Sequence, residues 1–216
     1  MSTDRALSYQ RNLPVRYDVD VLVVGGGPAG TAAAIAAARQ GCSVRLIEAH
    51  SCLGGMGTAG LVPGFCQFSD GVDFLAGGIG REILDALEEH EGVYPAGGRA
   101  IRAEVLKRIS DELLTAAGVP FTFHTQLVDV INRDGHVSEA ICDGKSGLFA
   151  ITARAFVDGT GDGDLAVFAG AAYDKGDDAG NMMPGTLCSI WGNVDWETVR
   201  SSGLGHGNKR IEDAFQ

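Results

Sequence analysis

Six residues near the amino end, Gly25-Gly26-Gly27-Pro28-Ala29-Gly30, set glycines at positions 25, 27 and 30 in a G-x-G-x-x-G spacing. The first glycine permits a tight turn, the second lets backbone come close to a bulky anion, and the third lets a helix pack closely on a strand. Unpaired N–H groups and the positive end of the following helix then face the anion, so a diphosphate can be held without a basic side chain. Glu48 follows eighteen residues after Gly30, where a carboxylate can accept hydrogen bonds from both hydroxyls of a ribose and repel a 2′-phosphate. These residue types describe a dinucleotide site that disfavours NADP. A further run, Leu53-Gly54-Gly55-Met56-Gly57, comes soon after Glu48 and lets a second stretch of backbone approach the same ligand with no Cβ in the way.

Such a site needs a strand, a turn and a helix in that order, and the flanking residues supply them. Val19, Val21, Leu22, Val23 and Val24 form a nearly unbroken apolar run, suited to a parallel strand covered on both faces. A helix is expected from about Pro28 to Gln40, stopped by Gly41, and a second strand from Ser43 to Glu48. This is one βαβ unit. Residues 51–80 read as a long glycine-rich loop carrying Phe65, Phe68 and Phe74, the kind of loop that usually serves a ligand. Two helices follow, with Ile79, Ile83, Leu84 and Leu87 on one face of the first. Val105, Leu106, Ile109 and Leu113 share one face of the second, which ends at Gly118. Val119–Gln126 alternates as a strand, and Leu127–Ile131, Val137–Ile141 and Leu148–Val157 form three more, joined by Asp-Gly turns as a meander. Asp158-Gly159-Thr160-Gly161-Asp162-Gly163-Asp164 then leads into a short helix ending near Gly170.

The composition narrows the partners. A formal charge of −11 would repel a phosphate backbone over most of the surface, so nucleic acid is not an expected partner. The longest apolar stretch, Ala32–Ala38, is too short to cross a bilayer, and the first twenty residues hold no secretory signal. The expectation is a cytoplasmic protein without membrane contact. Its five cysteines (Cys42, Cys52, Cys66, Cys142, Cys188) form no CxxC pair, so free thiols rather than disulfides or a metal site are expected.

The segments DVLVVGGGPAGTAAAIAAARQG, VRLIE, LGGMGTAG and VDGTGDGDLAVFAG, within residues 18–172, resemble the FAD-dependent oxidoreductases of the glutathione-reductase-like superfamily. The match is to glycine-rich members with LGGM in this position. The resemblance implies an α/β, Rossmann-like FAD-binding fold with a parallel sheet, a β-meander and an inserted helical segment at about residues 61–117. By the same likeness Gly25, Gly27, Pro28, Ala29 and Gly30 face the diphosphate, and Glu48 with its neighbour Ala49 the ribose. Gly54, Gly55, Met56, Gly57 and Thr58 run toward the flavin, the backbone of Leu127 meets the adenine, and Gly161 and Asp162 form a second flavin-contacting turn. The implied activity is flavin redox chemistry on a small-molecule substrate, with FAD as cofactor. Two alternatives stay open: an NAD-using enzyme of the same architecture, as in thiazole synthases, and a non-catalytic nucleotide-binding subunit.

No catalytic acid or base stands out. His50, His90, His124, His136 and His206 are scattered without the spacing of a triad or metal site. His50, two residues past the ribose acid, is the one placed to touch the adenosine half. Cys52 and Cys66 flank the glycine loop but lack the four-residue spacing of the superfamily's disulfide reductases. Asp162 or Asp164 serves equally well as an ordinary helix cap. Arg99 and Arg102 read as a solvated helix start, and Trp191 and Trp196 as core.

The expected organisation is a polar arm over residues 1–17, an FAD-binding domain over 18–173 and, over 174–216, a linker with the start of a substrate domain. Thr186–Val194 reads as its first strand, and Asp195-Trp196-Glu197-Thr198 as a helix start. Because relatives continue well beyond such a strand, the expectation is either a fragment of a longer protein or a second copy or another chain that completes the substrate domain.

Overall fold

The computed structural model describes residues 6–65, 68–70, 72–94 and 100–202; Cys66, Arg99 and His206 lie outside them. The chain divides into two units, Met1–Gly185 and Thr186–Gln216.

In the first unit, strand β1 (Val15–Val24) leads through the glycine turn into helix α1 (Pro28–Arg39), and strand β2 (Val44–Ile47) returns parallel to β1. β1 starts earlier than the expected Asp18. Tyr17 stacks edge-on against Phe149, and the carbonyl of Pro14 accepts from the N–H of Ala150 at 2.9 Å, so the end of the supposed arm belongs to the sheet. After the glycine-rich loop come helix α2 (Ile79–Glu89), a two-residue hairpin pair β3 (Val93–Tyr94) and β4 (Ala100–Ile101), and helix α3 (Ala103–Ala116). Leu87, Val93, Leu106 and Ile109 form a small core of their own, with Ile83, Leu84 and Phe65 packed on it. The bidentate Arg39–Glu82 pair, at 2.7 and 2.8 Å, ties α1 to α2.

The expected strand Val119–Gln126 shrinks to β5 (Phe121–Thr122), which lies parallel to β2. His124 takes a left-handed φ of 49°, and the N–H groups of His124 and Thr125 bond to the carbonyls of His50 and Glu48 instead of a strand ladder. The meander follows as β6 (Gln126–Arg133), β7 (His136–Gly144) and β8 (Gly147–Asp158), each antiparallel to the one before. The sheet order is β5-β2-β1-β8-β7-β6. Its long strand β8 pairs with β7 through Gly147–Thr152 and runs parallel to β1 from Ala150 to Asp158, so one strand serves both the meander and the parallel part.

Two cores cover the two faces of the parallel strands. Val23 and Leu46 meet Ala34 and Ile35 of α1, with Leu114 of α3 and Val119. On the other face Leu22, Val24 and Ile47 meet Leu127, Val130, Cys142, Phe149 and Ile151 of the meander. Alternate residues of β1 thus enter opposite cores, which is why the run VLVV contains no polar position. Helix α4 (Asp164–Phe168) closes the unit, burying Leu165.

The second unit overturns two expectations. Residues 186–194 form no strand, and Leu187, Ile190, Trp191 and Trp196 are all exposed rather than core. Among the described residues no strand pairs with this stretch, and apolar alternation alone does not satisfy a strand's N–H and C=O groups. The helix start does form: Asp195 caps α5 (Trp196–Ser201) by accepting from the N–H groups of Glu197 and Thr198. No helix of the described residues is long and apolar enough to cross a membrane.

Candidate functional site

The glycine turn sits at the carboxyl end of β1, flanked by β2 on one side and β8 on the other. Chains leaving neighbouring strands in different directions open a crevice at such a point. Gly25 donates to the carbonyl of Ile47 at 2.8 Å and takes φ 98°, and a Cβ on it would run into the carbonyl of Gly159. Gly159 in turn donates to the carbonyl of Val24 at 2.8 Å. A Cβ on Gly30 would strike the carbonyl oxygen of Gly25, so α1 packs directly on the turn. Gly27 caps α1 with no side-chain hydrogen bond, and Pro28 and Ala29 are exposed in the first helical turn.

The second glycine run folds back onto the first. Gly54 donates to the carbonyl of Gly26 at 2.8 Å, and Gly55–Gly57 form a single 3₁₀ turn. Thr58 is buried, and its hydroxyl donates to the carbonyl of Leu53 at 2.6 Å, closing the loop from inside. Met56 remains exposed on the outer side of the turn. Gly27 and Gly55 approach so closely that a Cβ on Gly55 would sit 3.0 Å from the Cα of Gly27. A crevice bordered by Gly27, Gly55 and Gly159 therefore presents main chain rather than side chains.

Glu48 lies just past β2, with its side chain 8% exposed. Oε2 accepts from the N–H of Gly26 at 2.6 Å, while Oε1 accepts from the N–H of His50 at 2.7 Å. The ring Nδ1 of His50 lies 2.8 Å from the same Oε1. A carboxylate offers about four lone-pair positions, and with three of them taken one remains for a ligand hydroxyl. Ala49 is exposed beside it.

Leu127 enters β6 opposite Cys142, with its side chain buried in the meander core. Two residues earlier, Thr125 is bonded to the Glu48 carbonyl at 3.0 Å, which holds the start of β6 beside the end of β2. Gly161 takes φ 90°; it and Asp162 are exposed on the turn after β8. The contact with the first glycine turn is made by Gly159, two residues before the expected Gly161 and Asp162 in the same run. Neither Asp162 nor Asp164 caps α4. The cap residue is Gly163, and Asp158 reaches forward to accept from the N–H of Ala166 at 2.9 Å. Asp158 also accepts from the N–H and hydroxyl of Thr160 at 2.9 and 2.7 Å. Burial pushes the Asp158 carboxyl up, but the hydrogen bonds from Thr160, Ala166 and Leu165 outweigh it and hold the pKa below its ordinary value. An acid at a strand end followed two residues later by threonine was the available signal.

The structure thus gathers Gly25–Gly30, Glu48 and Gly54–Thr58 around one crevice, with Gly159 and His50 added. His90, His124 and His136 are exposed, His124 with its N–H on the carbonyl of His50, and Arg102 is the exposed cap of α3. Among the described residues no group of His, Cys, Asp and Glu could hold a metal ion.

A family model described as FAD dependent oxidoreductase matches residues 20–215. Among curated proteins the chain is similar to a thiamine thiazole synthase of Methanococcus aeolicus, 33% identical over 183 residues, covering 81% of this chain and 65% of that protein. It is also similar to digeranylgeranylglycerophospholipid reductase 2 of Methanopyrus kandleri, at 28% identity, covering 63% of this chain and 36% of that protein. The chain therefore spans less than two thirds of the length of either relative. THI4 of Thermovibrio ammonificans superposes with a TM-score of 0.52 at 23% identity, over 72% of this chain and 64% of that one, a likeness in fold. The residues present fit FAD: two glycine turns packed so closely that a side chain at position 25, 26 or 30 would collide with neighbouring residues, a free helix start for a diphosphate, and a buried acid at the end of the second strand. With this crevice and a family match over nearly its whole length, the chain belongs to the FAD dependent oxidoreductase family.

Proposed function

We propose that this chain holds FAD in the glycine-bordered crevice and serves the oxidation of a small organic substrate. When bound, FAD supplies a hydride acceptor at flavin N5, and another acceptor later reoxidises it. The residues of the chain do the holding. The first turn of α1 and the N–H groups of the Gly25–Gly30 turn receive the diphosphate, and Glu48 receives a hydroxyl of the adenosine ribose. Gly54–Thr58 lines the approach toward the flavin, where Gly54, Gly55 and Gly57 carry no Cβ and let the ligand lie against backbone. Asp158, by organising the turn over 159–163, holds Gly161 and Asp162 on the side reached last.

The single observation that carries this reading is the convergence of Gly27, Gly55 and Gly159 on one crevice at the helix start, beside a buried carboxylate. The test is chemical: purify the chain with flavin supplied during expression, denature it, and identify the released compound by mass. FAD in near-stoichiometric amount is expected. Material that retains no adenine coenzyme overturns the proposal. Recovery of a nicotinamide dinucleotide would favour a second reading, an NAD-using enzyme, for which the similarity to thiamine thiazole synthases is the supporting observation. A retained flavin that no anaerobic donor bleaches would instead favour a non-catalytic nucleotide-binding chain.

A further inference from the structure

Glu48 is held from two directions. The N–H of Gly26 bonds one oxygen, and the other takes two hydrogen bonds from a single residue, the main-chain N–H and the ring Nδ1 of His50. The imidazole is 69% exposed, so its ring is not there to fill a core. Its main chain is used as well: the carbonyl of His50 accepts from the N–H of His124 at 3.1 Å, next to the bond between Thr125 and the carbonyl of Glu48. The backbone around the ring is therefore pinned, which aims Nδ1 at the carboxylate without help from packing. A carboxylate can only accept, so Nδ1 carries the hydrogen, leaving Nε2 toward solvent.

We propose that His50 is a positioning residue for the Glu48 carboxylate, setting which of its lone pairs face the ribose hydroxyls of an adenine nucleotide. The proposal rests on the assignment of Glu48 to the ribose and adds the agent that orients it. The main-chain N–H groups of Gly26 and residue 50 tie one oxygen each whatever the side chain at 50, and within those two ties the carboxylate can still swing. The ring adds a second bond at Oε1, which narrows that swing and occupies the other lone pair of Oε1, so a hydroxyl meets the free lone pair of Oε2 already aimed. Orientation of this kind changes ligand discrimination more than it changes fold stability, because the ring contributes little buried area.

The test compares ADP with 2′,3′-dideoxy-ADP, which lacks the two hydroxyls, by calorimetric titration of the flavin-free 216-residue chain and two variants. The unaltered chain should prefer ADP by about tenfold or more, the size of one charge-assisted hydrogen bond. His50→Ala, which keeps both main-chain ties and loses only the ring bond, should lower that preference by about threefold or more while binding dideoxy-ADP as before. His50→Asn, whose side-chain amide can donate from nearly the place of Nδ1, should restore it. A merely structural role would weaken both ligands alike and would show as a lowered unfolding midpoint. Full preference for ADP in His50→Ala overturns the proposal and leaves Glu48 on the ribose. Absence of preference in the unaltered chain removes Glu48 from the ribose altogether, and the role of His50 falls with it.

Discussion

Replacing Gly27 with alanine separates what the fold needs from what the ligand needs. The residue has φ −69° and ψ −177°, a conformation open to any residue. A Cβ there would lie 3.9 Å from both the Gly159 carbonyl oxygen and the Gly55 Cα, ordinary van der Waals distances. Alanine restricts the unfolded chain, worth about 0.4–1 kcal/mol, and caps a helix less well than glycine by a similar amount, so stability should change by less than about 1 kcal/mol. The new methyl nevertheless stands between α1 and the two facing glycine loops, where the proposed site puts the diphosphate. Overpacking of about 1–3 kcal/mol would raise the Kd for FAD roughly 5- to 150-fold. Urea unfolding of the flavin-free chain reads the first quantity and titration of flavin fluorescence the second. Alanine at this position with unaltered FAD affinity would refute the placement of the diphosphate. A loss of several kcal/mol in stability would refute the packing geometry instead.

Gly25→Ala and Gly41→Ala make a matched pair, since both residues have left-handed φ (98° and 86°) but only Gly25 has a neighbour within 4 Å. Gly41→Ala should cost about 1 kcal/mol of conformational strain, and Gly25→Ala a further 1–3 kcal/mol or so from collision with Gly159, measured as the difference in urea midpoints. Asp158→Asn should destabilise by about 1–3 kcal/mol near neutral pH through weakened bonds to Thr160 and Ala166. Because the folded carboxyl has a pKa below its unfolded value, its contribution is present above about pH 4 and fades as pH falls through the folded value. The gap between Asp158→Asn and the unaltered chain should therefore close in acid, as followed by unfolding midpoints from neutral pH downward. Cys142 is buried, and its thiol is pushed up to about 12, so it should resist iodoacetamide near pH 8 until the chain unfolds. Cys42, Cys52 and Cys188, all half-buried, should alkylate before Cys142, as peptide mapping would show.

The glycine turn and α1 were legible because their signals are local. A helix start, close helix-to-strand packing and a left-handed Gly25 each demand particular residues at particular positions, whatever surrounds them. The meander was legible for the same reason, through turns such as Asp134-Gly135, where both residues take positive φ. Val119–Gln126 misleads because its alternation satisfies two different jobs. Val119, Phe121 and Phe123 face the α1 core, but His124 then turns the chain so that Thr125 can bond to Glu48 and deliver β6 to the opposite face. Thr186–Val194 misleads because strand pattern describes what a segment could do beside a partner, and no strand among the described residues pairs with it. The contact of Gly159 with the first glycine turn depends on β8 meeting β1, a long-range adjacency that leaves no trace in spacing, whereas His50 meets Glu48 across two residues and its position could be read from the sequence.

The dual membership of β8 bears on how the first unit comes apart. Ala150, Ile151 and Thr152 hold β7 on one flank and the start of β1 on the other, so the parallel layer and the meander share these residues as common masonry. Neither layer can melt while the other keeps its seam, and the amides of this short stretch should be among the last to exchange with heavy water. A coenzyme gripped at the far end of β1 and β8 would consequently brace both layers at once, although every atom of the grip lies at one rim.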